Sequence, residues 1–233
     1  ACSGFVYSMA VARSLMADMN IAYAMVIGAE RLSKFVNWSD RSTCILFGDG
    51  AGCAILENSD LADPKVKSSL AYKLEIEGDY LAGKYDSNRY LTLDSRFSLD
   101  EDKYPYIGMN GRQIYKFATD VGVKVVDKLL GDRGLSRDDI ELIVPHQANK
   151  RIIETLAIKS QIPEDKWFVN LDKYGNTSAA SVPLALNEVV EDVLSGRDLD
   201  QMDGKRILSI AFGGGLSYGG FLLRIRKKED LDK

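Results

Sequence analysis

From Gly111 to Arg226 the chain alternates helix-period and strand-length apolar segments, and that alternation leaves few folds open. Residues 111–130 place Ile114, Phe117, Val121, Val125 and Leu129 at the spacing of an amphipathic helix. Gly134 and Ser136 mark a turn and a cap, and residues 141–144 form a short strand. Residues 151–160 read as a helix and 167–170 as a short strand. Residues 181–194 read as a helix with Pro183 in its first turn, where proline is tolerated. Residues 206–212 and 220–226 are strands flanking a glycine-rich turn. Strands interleaved with helices predict an α/β fold.

The first part of the chain is less regular. Residues 3–19 suggest a mostly apolar helix belonging inside a layered core, and 24–29 a buried strand. Residues 39–43 (SDRST) form a polar turn. Residues 44–47 and 53–56 read as two strands joined by the GDGAG turn, which places Cys44 and Cys53 in the core. Residues 58–68 contain Pro64 and read as a connector, and 69–76 as a strand. Residues 77–106 are polar and tyrosine-containing, and so long an irregular stretch suggests a functional loop or lid. The two strand–turn–strand closures, 44–56 and 206–226, suggest an internal pseudo-repeat.

Bulk properties exclude some functions. The 233 residues suffice for one large core or two fused ones. A net charge of -4 argues against broad nucleic-acid binding, which needs a large basic surface. Three cysteines without a CxxC spacing disfavour a disulfide framework or a zinc site and suit a reducing cytoplasm. No apolar run approaches the roughly 20 residues that span a bilayer. The opening ACSGF lacks a Met, a basic n-region and any lead-in, which suggests a fragment or processed chain rather than a signal peptide.

Four positions invite chemistry. Cys2 directly precedes a helix, whose free N–H groups and positive end favour thiolate, a good nucleophile toward a thioester. A small buried hydrophobe is the alternative reading of such a cysteine. His146, the only histidine, lies where a strand ends and a helix begins, the usual ligand position in open α/β sheets. A helix N-terminus nearby disfavours protonation, so a neutral ring can donate a hydrogen bond. Asn176, in YGNTSAASVP, could supply an amide donor to an enolate oxygen, or simply occupy a turn. The consecutive glycines Gly213, Gly214 and Gly215 of FGGGLSYGG could bring backbone N–H groups to an oxyanion or a phosphate. The segment lacks the Lys-Ser/Thr of a phosphate-binding loop.

Together, ACSGF, SDRSTCILFGDGAG, VPHQANKRII, YGNTSAASVP and AFGGGLSYGG resemble, in order and spacing, the beta-ketoacyl-acyl carrier protein synthase III family of condensing enzymes. The resemblance covers essentially the whole chain. It implies a thiolase-like fold of α-β-α-β-α layers with an internal pseudo-repeat, the first part of the N-terminal half missing. Residues 1–64 would be the remainder of that half and 65–233 the C-terminal half. It implies that Cys2 is the acylated nucleophile, that His146 and Asn176 stabilise the enolate formed as malonyl thioester loses carbon dioxide, and that the N–H groups of Cys2 and Gly214 form the oxyanion hole.

By the same resemblance Arg41 packs on the adenine of coenzyme A, and Asn149, Arg151 and Phe212 line the pantetheine channel and its mouth. Tyr115 sits where the family often has Phe. Lys116, Lys150 and Arg151 form a basic rim for an acidic carrier protein. The implied partners are acyl-CoA, malonyl-acyl carrier protein and a second copy in a cytoplasmic homodimer, without nucleic acid or membrane. No metal or redox cofactor is implied; coenzyme A enters as the substrate's thioester. Family members carry a long segment ahead of the nucleophile where this chain has one residue. A related condensing enzyme of secondary metabolism, or an inactive folded fragment serving as a binding or structural module, are the alternatives.

Overall fold

The computed structural model describes residues 1–63, 65–66, 72–93, 106–194 and 197–227. Helix α1 (Gly4–Met19) buries Phe5, Val6, Met9, Ala10 and Met16 and ends on Asn20 at φ 53°, whose N–H caps the Met16 carbonyl. Strand β1 (Tyr23–Arg31) pairs antiparallel with β2 (Asp49–Glu57), with Gly28 opposite Gly52. The GDGAG segment is therefore mostly strand and not the turn its glycines suggest. A β-carbon at Gly50 would lie 2.9 Å from Leu184, and one at Gly52 3.1 Å from the Leu184 nitrogen. These glycines let β2 lie close against the segment around Thr177–Leu184. Residues 41–46 are turns, and only Phe47 bridges, to Asn176.

Strand β3 (Tyr72–Gly83) extends through the first seven residues of the expected loop 77–106. A bulge between Ile76 and Gly78 admits the Arg133 side chain, whose guanidinium donates to the Glu77 carbonyl. Two short strands, β4 (Leu91–Leu93) and β5 (Ile107–Met109), pair with each other, while residues 94–105 lie outside the described residues. So do residues 64, 67 and 68 of the expected connector and 69–71 of the expected strand.

Helix α2 (Gly111–Gly131) starts at Asn110, whose side chain accepts from the Gln113 N–H. Strand β6 (Ile140–Pro145) follows a capping box between Ser136 and Asp139. Helix α3 (Lys150–Ser160) is capped by the Asn149 side chain. Trp167 makes only a single bridge to Ile143, so the strand expected at 167–170 does not form; Asn170 instead opens the single turn α4 (Leu171–Tyr174). Helix α5 (Ser181–Glu188) continues as a wider π-type turn over Val189–Leu194. After the short α6 (Leu199–Met202) come β7 (Arg206–Gly213) and β8 (Ser217–Lys227).

Among the described residues, β3, β8, β7 and β6 form one sheet in that order, with β6 and β7 parallel and the rest antiparallel. The alternation of β7 sorts its side chains to two cores. Leu208, Ile210 and Phe212 meet Val125, Leu129 and Leu156 of α2 and α3. Ile207 and Ala211 meet Phe5 and Val6 of α1 and Val182 and Ala185 of α5, and this core continues to Val26 and Leu56 of the β1–β2 pair. The layers thus run helices, four-stranded sheet, helices, two-stranded sheet, and the described residues build four of the five expected. The outer face of β1–β2 presents Met25, Ile27 and Ile55 at 61%, 59% and 66% exposure. Cys53 belongs to this outer face and Cys44 to a half-buried turn, so neither is the core cysteine expected. No described helix is long and apolar enough to cross a membrane.

Candidate active site

Cys2 sits at the head of α1, only 8% exposed. A β-carbon on Gly213 would come 2.8 Å from the Cys2 β-carbon and 2.9 Å from its nitrogen, so the end of β7 lies directly against Cys2. Ser3 Oγ lies 2.6 Å from Ser217 Oγ, and Ser217 donates to the Gly214 carbonyl at 3.0 Å. The helix head and the glycine turn are thereby tied together. Burial, the largest effect, pushes the Cys2 thiol up, while a hydrogen bond with the Ser178 side chain pulls it down. The low thiol pKa expected from the helix end alone is not what results: desolvation outweighs the stabilising contacts.

His146 follows β6 and is 1% exposed. Its N–H donates to Ile210 O at 2.7 Å, continuing the parallel pairing beyond the strand. Its ring packs edge-on against Phe212 at 5.5 Å between centroids. Nδ1 lies 2.6 Å from Ser181 Oγ. Burial without a compensating charge lowers its pKa from 6.5 to about 3, so the ring is neutral throughout the physiological range.

Asn176 is 7% exposed and is held by its backbone on both sides: its N–H donates to Leu46 O at 2.8 Å, and its carbonyl accepts from Gly48 N at 3.0 Å. Its Oδ1 accepts from Ser178 N at 2.9 Å, which leaves the Nδ2 hydrogens as what the side chain offers. Ser178, held at φ 49°, contacts both Asn176 and Cys2. A chain of neighbours therefore links all three: Cys2 lies against Gly213, which follows Phe212 in β7, Phe212 packs on His146, His146 pairs with Ser181, and Ser178 bonds Asn176 and Cys2. A buried thiol, a neutral imidazole and an amide donor are thus linked through shared neighbours, and these are the group types that thioester exchange and enolate stabilisation use.

The remaining predicted residues lie on the 41–46 turn, α2 and the start of α3. Asn149 and Lys150 line a groove of about 710 Å³ together with Ile45, Leu46, Ala148 and Trp167. Arg41 is exposed in the turn leading to Leu46, which anchors Asn176. Arg151 is exposed at the start of α3, and its N–H is the one Asn149 caps. Tyr115 reaches across from α2 to bond Thr155 of α3 at 2.5 Å. Lys116 is exposed beside it, and Lys150 lies 3.9 Å from Glu154, a solvent-screened pair.

Two family models match the chain: 3-oxoacyl-[acyl-carrier-protein] synthase III over residues 1–78 and the C-terminal model of the same synthase over 130–225. The chain belongs to the 3-oxoacyl-acyl-carrier-protein synthase III family. It is 46% identical over 224 residues to the beta-ketoacyl-[acyl-carrier-protein] synthase III of Clostridium beijerinckii, covering 96% of this chain and 65% of that one. The synthase of Acholeplasma laidlawii is 39% identical, covering 97% and 63%. Among solved structures, the Aquifex aeolicus synthase III superposes with TM-score 0.79 at 38% identity, covering 96% of this chain and 64% of that one. The Pseudomonas aeruginosa synthase III gives 0.80 at 29% identity, covering 97% and 65%. The chain thus spans just under two thirds of the length of these relatives.

The sequence motifs of this synthase III relative give no role to Ser3, Ser178, Ser181 or Ser217. Ser3 and Ser178 flank the named residues, and Ser181 lies five beyond Asn176. The available signal was a pair of serines three positions apart, SAAS, which a plain helix start would also produce.

Proposed function

We propose that this chain carries the reaction centre of a decarboxylative condensing enzyme that joins an acyl-CoA primer to malonyl-acyl carrier protein. The observation that carries the reading is the neutral buried imidazole of His146 in one chain of neighbours with Cys2 and Asn176. Cys2 loses its proton and attacks the acyl-CoA carbonyl. The bond to coenzyme A sulfur breaks, the thiol of coenzyme A leaves, and the acyl group stays on Cys2. Exchange of one thioester for another needs little driving force.

Malonyl thioester then loses carbon dioxide. The electron pair of the broken carbon–carbon bond becomes an enolate, whose oxygen is held by the free His146 nitrogen and Asn176 Nδ2 as donors. The enolate carbon attacks the Cys2 thioester. The N–H groups of Cys2 and Gly214 hold the resulting oxyanion, and its collapse releases 3-oxoacyl-carrier protein and the Cys2 thiolate, which regains a proton. Every bond and proton balances with coenzyme A as the substrate's thioester alone. Arg41, Asn149, Arg151, Tyr115 and Phe212 would guide the pantetheine arm along the groove beside α3. Lys116, Lys150 and Arg151 would steer an acidic carrier. Homodimeric assembly in the cytoplasm belongs to the same reading, and sedimentation of the purified chain tests the dimer.

Two partial reactions test the function. Release of carbon dioxide from carboxyl-labelled malonyl thioester should fall about a hundredfold in His146→Ala or Asn176→Ala, the loss typical of one oxyanion donor. Cys2→Ala should abolish acyl transfer and leave decarboxylation in place. A wild-type chain that releases no more carbon dioxide than buffer would overturn the reading.

A further inference from the structure

Ser181 is the first residue of α5 and is 2% exposed. A hydroxyl this deeply buried is stabilised by donating its single proton to an acceptor. Helical serines often give it to the carbonyl one turn back, as Ser14 does to Ala10 at 3.0 Å. Ser181 makes no such bond; among the described residues its only partner is His146 Nδ1 at 2.6 Å. The pairing that uses the hydroxyl proton makes the ring nitrogen the acceptor. A nitrogen that accepts carries no proton, so the remaining ring proton sits on Nε2.

We propose that Ser181 is a positioning residue that holds His146 as its Nε2–H tautomer, so that the ring donates to, and does not repel, the enolate oxygen. The inference rests on the role given to His146 in the condensing reaction above. Three contacts from two elements, β7 and α5, fix His146 and its ring. The backbone N–H donates to Ile210 of β7, Phe212 packs edge-on, and Ser181 of α5 takes the inner nitrogen. The first two orient the ring but are indifferent to where its proton lies. Only Ser181 distinguishes the two nitrogens. In the opposite tautomer Nε2 would turn a lone pair toward the developing negative oxygen. Burial keeps the ring neutral, at a pKa of about 3, so both nitrogens cannot be protonated at once.

The single histidine makes the test direct. With histidine ring nitrogens labelled by 15N, a two-bond proton–nitrogen correlation spectrum identifies the protonated nitrogen without assignment ambiguity. The wild-type protein should show its proton on Nε2 with Nδ1 as an unprotonated acceptor. Ser181→Ala should give a mixed ring pattern and lower kcat for malonyl decarboxylation about tenfold to a hundredfold, as removal of a histidine's outer partner does at metal sites, with KM unchanged. Ser181→Thr keeps the hydroxyl and should restore both pattern and rate. A wild-type ring protonated on Nδ1, or a Ser181→Ala protein with wild-type pattern and rate, overturns the proposal. The wild-type spectrum decides even where Ser181→Ala does not fold. Decarboxylation with an Nδ1–H ring overturns this inference alone. An Nε2–H ring without decarboxylation overturns the role of His146 in the reaction, and with it the use of the tautomer.

Discussion

Lowering the pH from 7 to 5 should weaken the folded chain through one buried ring. In the unfolded chain His146 titrates at its ordinary value of 6.5, and in the folded chain burial lowers it to about 3. Between those values the unfolded state binds a proton that the folded state does not, so stability rises with pH and is fully present above the unfolded pKa. It is lost as pH falls from 6.5 toward 3. At pH 5 an unfolded histidine is almost fully protonated and the folded one almost not at all. Linkage then gives a loss of about 2 kcal/mol between pH 7 and pH 5, with a limiting slope of about 1.4 kcal/mol per pH unit. Urea denaturation at pH 7, 6 and 5 measures it. His146→Gln removes the titrating group while every carboxylate remains, so the difference between the two proteins isolates the ring. His146 is the chain's only histidine, which removes any competing group of that kind. Equal losses in wild type and His146→Gln would refute the reasoning, because they would place the ring in water.

Three further outcomes follow from the packing around the site. A β-carbon at Gly28 would lie 2.6 Å from the Ala179 carbonyl, between Ser178 and Ser181; Gly28→Ala should cost about 1–3 kcal/mol in thermal or urea unfolding and slow acyl transfer. Glu188 is buried under α4, where burial opposes its charge but hydrogen bonds from Lys173, Tyr174 and Asn170 hold its carboxyl below the usual range; its contribution is lost as pH falls through that depressed value, so Glu188→Gln should flatten part of the acid limb of the stability curve. Because burial raises the Cys2 thiol, its alkylation by iodoacetamide, followed on the Cys2 peptide, should climb at higher pH than that of a free thiol such as N-acetylcysteine; identical pH profiles would contradict the burial argument.

What the sequence made legible depended on how local each cause was. Helix α2 was readable because Ile114, Phe117, Val121, Val125 and Leu129 repeat at the helical period along one face. The β7–β8 pair was readable because apolar runs flank a glycine turn. Strand β2 was not, because Gly48, Gly50 and Gly52 look like turn residues until the segment from Tyr174 to Leu184 is placed against them. Cys53 follows from the same error: once β2 is extended, its odd-numbered positions face outward with Ile55. Residues 77–83 were read as loop because nothing local reveals that β8 pairs with them. At the site, Cys2, His146 and Asn176 stood out through their motifs. Ser181 did not, because its significance is a 2.6 Å contact across 35 residues of chain. The raised thiol likewise depends on how deeply Gly213 and the helix layer enclose Cys2.

The central claim is that Cys2 carries the acyl group. The direct measurement is peptide mass mapping of the chain after incubation with acetyl-CoA and removal of excess reagent. The account predicts one acetyl group on the peptide containing Cys2, none on those containing Cys44 or Cys53, and loss of the label in Cys2→Ala. Acetylation confined to Cys44 or Cys53, or an unmodified Cys2 peptide under conditions where coenzyme A is released, would contradict it.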